Sequence, residues 1–234
     1  MSGSHTLDRI KEVGTALAFL LYPLCAGFAF AVHPNLMSLD VDQDIQARIT
    51  EFHGNSVLHF AHVFMVVAVP LLIVIALHMM HLLHTRAPWW GFVGGLTAIS
   101  GAVILALDKG ALCLTVSAFD TLSEVDFQGL RPGIEAMFQY QGWLWLLRLL
   151  PLLPIGFIVL TAGLVRTRVI PRRQSVPMLL GTIMMANPDI DLVGLIATIL
   201  LGIGFVPYAI HLLRSSRQEA PHQLVLAGSA SLAR

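Results

Sequence analysis

Five histidines lie in one thirty-residue stretch, VLHFAHVFMVVAVPLLIVIALHMMHLLHTR (residues 57–86): His59 and His62 near its start, and His78, His81 and His84 near its end. Imidazole ligates haem iron and first-row metals, so histidines three residues apart on one helix face are candidate ligands. At about 100° per residue all five fall within less than half of the helix circumference. Only apolar residues separate His62 from His78. At about 1.5 Å per residue that gap covers most of a hydrocarbon core roughly 30 Å thick. One cluster is therefore expected near each membrane surface.

Both clusters have possible partners on other helices. An outer b-type haem would use His33 with His59 or His62, and an inner one would use His78 or His81 with His211. Electrons would then cross the bilayer. A metal alternative keeps the outer histidines and completes the site with carboxylates such as Asp40, Asp42 or Glu51. The third reading has no cofactor, the imidazoles sitting at the interfaces in contact with solvent or backbone carbonyls. A second constellation is Asp108 with Arg148, both expected near the outer ends of their helices, where an unpaired charge is costly. They are expected to pair, as a fixed bridge between helices or as the polar part of a small transporter or channel. The motifs HExxH, Walker A and GxSxG are absent from the sequence, so the hydrolase and nucleotide chemistries that use them have no visible machinery.

Placing these residues requires membrane helices. Hydrophobic residues make up 56% of the 234 and charged residues 12%, which is the balance of an all-α polytopic membrane helix bundle. Six transmembrane helices are expected at about residues 15–32, 57–83, 89–108, 143–165, 172–187 and 191–213. The run at 172–187 is short, so five spans plus a re-entrant segment is the alternative. Residues 1–214 then form one transmembrane domain, and the Ser- and Ala-rich residues 215–234 are expected to be a disordered cytoplasmic tail. Between the spans, Val41, Ile45, Ile49 and Phe52, and again Leu130, Ile134, Met137 and Phe138, recur at helical spacing and suggest two amphipathic surface helices. Gly91, Gly95, Ala98, Ala102 and Ala106 form a small-residue stripe suited to close helix approach. The stretch from Gly110 to Phe119 either prolongs the third span or dips back.

Charge sets orientation and excludes one partner class. A net charge of +0 provides no field to recruit nucleic acid, and the partner implied by composition is the lipid bilayer. Basic residues gather at Arg9 and Lys11, at Arg86, and at Arg166, Arg168, Arg172 and Arg173, while the alternate loops carry an acidic excess. That asymmetry puts both termini on the cytoplasmic side of a multi-pass protein of the cell (inner) membrane. Cys25 and Cys113 both fall in apolar segments, which predicts buried thiols in place of a disulfide framework.

The segment LVRTRVIPRRQSVPMLLGTI (residues 164–183) resembles the helix, basic residue, proline, helix pattern of bacterial multi-pass membrane proteins that have no assigned chemistry. The resemblance covers roughly residues 143–214. It implies a six-helix membrane protein and brings no functional residue with it. The leading functional expectation is a membrane redox protein with histidine-ligated haem b. A small transporter or channel, and a non-catalytic subunit or scaffold, are the alternatives.

Overall fold

The computed structural model describes residues 2–39, 44–187 and 190–231, and every regular element among them is helical. The order is α1 (Ser2–Ala31), α2 (Ile45–Phe52), α3 (Ser56–Leu83), α4 (Pro88–Asp108), a π segment (Lys109–Leu114), α5 (Thr115–Phe119), α6 (Glu124–Phe138), a 3₁₀ segment (Gly142–Leu149), α7 (Leu152–Thr167), α8 (Arg172–Met184) and α9 (Asp191–Ser231). Five stretches are long and apolar enough to cross a membrane: Arg9–Ala31, Ser56–Leu83, Pro88–Phe119, Gly142–Thr167 and Asp191–Arg214.

Local signals start and stop these elements. Asn55 caps α3, its side-chain oxygen accepting from the Leu58 amide at 3.1 Å, after Gly54 has turned the chain at φ +69°. Pro88 opens α4 at a position where its missing N–H costs nothing. Arg168 ends α7 in the left-handed conformation, three residues before Pro171. The expected third span does not stop at Asp108. It continues through the π segment and α5 to Phe119, so Gly110 to Phe119 prolongs the span. In the fourth, helix begins only at Leu152. The preceding eight residues are 3₁₀, next to Pro151 and Pro154, which supply no N–H to an α ladder.

Six helices close into a ring. α1 packs on α3, α3 on α4, α4 on α7, α7 on α8, α8 on α9, and α9 on α1. The neighbours run antiparallel. Gly204 of α9 faces Gln174 and Met178 of α8 while Gly181 of α8 faces Ala197 and Leu201 of α9. Likewise Gly94 and Gly101 of α4 face Leu160 and Leu153 of α7. The ion pair between His33, just past α1, and Asp191, at the start of α9, puts those two ends together. The ring thus has an acidic end, with Glu51, Asp120 and Asp191, and a basic end, with Arg86, Arg168 and Arg214.

α8 is the short member. Its 13 residues rise about 20 Å at the usual pitch, less than a hydrocarbon core of roughly 30 Å. The expected run at 172–187 therefore falls short of the five spanning stretches by length. α9 remains helical to Ser231, through the tail expected to be disordered; the Gln, Glu, Ala and Leu residues there are good helix formers.

The two expected amphipathic helices are present as α2 and α6. Ile49 and Phe52 of α2 and Ile134 and Phe138 of α6 are buried against one another and against Leu58, Leu112 and Val116. These buried residues form a protein cap over the acidic end, while Leu130 of the same pattern is 41% exposed. Val41 is outside the described residues. Gln46 ties the cap at its rim, donating to Glu135 at 3.0 Å and accepting from Arg131 Nε at 2.7 Å.

Candidate functional site

The ring holds a partly open cavity of about 670 Å³. It begins under the cap and ends near the middle of the bundle, where Phe19, Ile75, Met79, Leu83, Leu160 and Leu164 are fully buried and fill the basic-end half. The deep wall is Leu72, Leu105, Leu153, Phe157, Leu201 and Phe205. Polar groups join it mainly at the acidic end: Lys109, Arg148, Tyr140 and Asn187, with Tyr22 and Thr182 further in. The lining is therefore amphipathic along its depth, basic at the mouth and hydrocarbon below.

Two unusual backbone segments place the basic pair. Lys109 opens the π segment, and Arg148 is near the end of the 3₁₀ segment. π turns within long helices recur at functional sites because they rotate the following side chains out of register. Asp108 and Arg148 do not meet as the sequence suggests. Lys109 Nζ takes the Asp108 carboxylate at 3.2 Å, and the other oxygen, Oδ1, is buried without a hydrogen-bond partner. Arg148 reaches only the carbonyl of Gln139, at 3.4 Å, and among the described residues it faces no carboxylate. An adjacent lysine outcompetes an arginine that must reach across from another helix.

The outer histidines divide into two groups. His33 and His62 come together, ring centroids 5.6 Å apart and edge to face, with His33 Nδ1 3.2 Å from Asp191. His62 Nδ1 lies 2.9 Å from the carbonyl of Leu58, so that nitrogen carries the proton, and Phe52 stacks on the ring at 5.1 Å. His59 turns away to Asp120, which it meets through Nε2 at 2.6 Å. The other oxygen of Asp120 meets His53 Nδ1 at 2.9 Å, and His53 Nε2 lies 3.4 Å from Glu124. One carboxylate thus joins the end of α2 to the first turn of α3.

This His53–Asp120–His59 bridge is the feature that sequence reading missed. Asp120 is one of several acids in a loop, and nothing in its spacing marks it. Among the described residues no three His, Cys, Asp or Glu groups converge as a metal site would require. Glu51 accepts a hydrogen bond from Asn35, and Asp40 and Asp42 lie outside the described residues. Burial pushes the Glu51 carboxyl up, against the opposing pull of the His33 and Arg48 charges.

The inner histidines do not form a pair. His78 Nε2 is 2.6 Å from the Tyr208 hydroxyl, and the ring stands edge-on to Phe19 at 5.8 Å. The nitrogen that would take an iron is engaged by a phenol, inside a packed aromatic group with Phe205. His81 and His211 are exposed, as is His84.

Comparison with known proteins leaves the assignment to this geometry: no family model, no curated protein and no solved structure matches the chain.

Proposed function

We propose that the chain is a six-span protein of the cell inner membrane, with both termini cytoplasmic, and that it works as a small transporter or carrier. The observation that carries this reading is the cavity of about 670 Å³ inside the ring, a volume typical of small-molecule sites. Its place supports carriage over simple structural packing. It lies in the acidic-end half, under a cap of separate short helices, while the basic-end half is sealed by packed side chains. A bundle open in one half and closed in the other is the resting form that alternating access requires. The haem reading finds less support, since His78 is hydrogen-bonded to Tyr208 and His59 to Asp120.

The test is accessibility. With Cys25 and Cys113 replaced, Met185→Cys and Leu153→Cys on the cavity wall should react with small charged methanethiosulfonate reagents from the non-cytoplasmic side. Met79→Cys, in the sealed half, should not. Equal protection of all three sinks the carrier reading. The purified protein from haem-replete cells should be colourless, and a Soret band removed by His78→Ala would reinstate redox chemistry.

A further inference from the structure

Resting on that carrier reading, we infer that the cavity takes a single-chain amphiphile with an anionic head, a carboxylate or a phosphate. The head would lie at Arg148, and the chain would lie against Leu153, Phe157, Leu201 and Phe205.

Three observations point to this chemistry. The first is charge. Lys109 is matched by Asp108, whereas among the described residues the Arg148 guanidinium has one long bond, to a carbonyl at 3.4 Å. The cavity mouth therefore carries one uncompensated positive charge. A guanidinium presents a fork of donors suited to two oxygens of one carboxylate or phosphate. The second is depth. Trp143 and Trp145 share the 3₁₀ segment with Arg148 and are 83% and 47% exposed. Tryptophan collects at the headgroup level of a bilayer, so an anion held at Arg148 would sit where amphiphile heads already sit. The third is shape. Below Arg148 the wall is hydrocarbon apart from Tyr22 and Thr182. At about 30 Å³ for each water-sized group, 670 Å³ holds on the order of twenty heavy atoms. That is room for one acyl chain.

The wall also has an open side. Ile155, which lines the cavity, is 49% exposed. Entry there would let a chain pass from the surrounding leaflet without its tail crossing water.

The experiment uses the full chain in detergent and in vesicles, with a sixteen-carbon fatty acid carrying a diazirine at its tail end. Peptide mapping should place the cross-link on α7 and α9, at or beside Phe157 and Phe205. Unlabelled competitors separate the possible heads: the same-length fatty acid, a lysophosphatidic acid, the fatty alcohol and the alkyl trimethylammonium. The two anions should compete, and whichever does so at lower concentration identifies the head. The alcohol and the cation should be about tenfold weaker, the scale of one charge-assisted hydrogen bond. Arg148→Gln should remove the preference for anions, and Arg148→Lys should restore part of it. These competitions in the unmodified protein do not depend on any variant folding.

Equal competition by the alcohol overturns the anionic head. Cross-links confined to the lipid-facing surface overturn cavity binding. If Met185→Cys still reacts in either case, the carrier reading stands with a different ligand. If Met185→Cys is inert, both fall.

Discussion

Asp120 does more than any other single residue at the acidic end, because its two oxygens hold His53 at 2.9 Å and His59 at 2.6 Å. Removing it strands two imidazoles, and His59 Nδ1 already lacks a partner. Asp120→Ala should therefore cost about 1–3 kcal/mol of stability, read as a lower melting temperature with a loosened cap by hydrogen exchange. An unchanged melting temperature would mean that the bridge holds nothing. Glu124 adds a smaller, pH-dependent piece. Its bonds from Gln128 and His53 hold the carboxyl below its usual range. The unfolded chain then binds the proton more readily, so this contribution is present at neutral pH and is lost as pH falls through the carboxylate range. Glu124→Gln should be slightly less stable than the parent at pH 7, and the difference should shrink as pH falls through the carboxylate range. Glu51 has the opposite sign, its raised carboxyl opposing the fold as pH rises. At this scale the sequence identified reactive residue types and misjudged their pairing. The sequence left His33 to meet His59 or His62, and it meets His62; which acid faces which imidazole depends on how a loop folds back, and local pattern does not encode that.

At the scale of elements, the small-residue stripe was legible but its partner was not. It serves two neighbours. Its Gly91 and Gly95 face Leu83 and Met80 of α3, whereas its Ala98, with Gly94 and Gly101 that the stripe did not include, faces α7, where Gly156 answers them. The two sets should respond differently to a methyl group. A Cβ at Gly101 would stand 2.2 Å from the Leu153 amide nitrogen, while one at Gly95 would meet the Met80 sulfur. Backbone cannot yield without separating α4 from α7, whereas a methionine can swing to another rotamer. Gly101→Ala should lose about 1–3 kcal/mol or more, and Gly95→Ala distinctly less, by thermal or denaturant unfolding in detergent. Equal losses would show that Met80 is as fixed as backbone. The same limit explains the surface helices. Periodicity found Ile49, Phe52, Ile134 and Phe138, yet an amphipathic face has the same pattern whether it meets lipid or another helix. Only the packing of α2 and α6 over Leu112 and Val116 decides between them.

At the scale of the whole molecule, the open point of the sequence was the short α8, and the ring turns it into a question of parity. If the chain did not pass from one end to the other along α8, α9 would start at the basic end and finish at the acidic one. The contacts run the other way. His33 follows α1 and lies 3.2 Å from Asp191 at the start of α9. Gly194 faces Phe30, and further along the same pair Phe205 and Tyr208 pack on Phe19. α9 therefore descends beside α1 in the opposite sense, and α8 must return the chain between them. A helix that rises only about 20 Å can do so because Ile170 and Pro171 lead into it and Met185 to Asn187 lead out, and because α7 and α9 flank it and supply buried partners such as Thr161 for Thr182, at 3.1 Å. Polar groups on a thin segment are tolerated when they face protein. On the proposed six passages, Lys11 and Arg214 would lie on one side of the membrane and Asp44 and Asp126 on the other. In the cysteine-free background, Asp44→Cys and Asp126→Cys should be labelled in intact cells by an impermeant thiol reagent, and Lys11→Cys and Arg214→Cys only after lysis. Labelling of Arg214→Cys together with Asp126→Cys would make the number of passages odd, leave α8 as a re-entrant hairpin, and break the ion pair on which the ring closes.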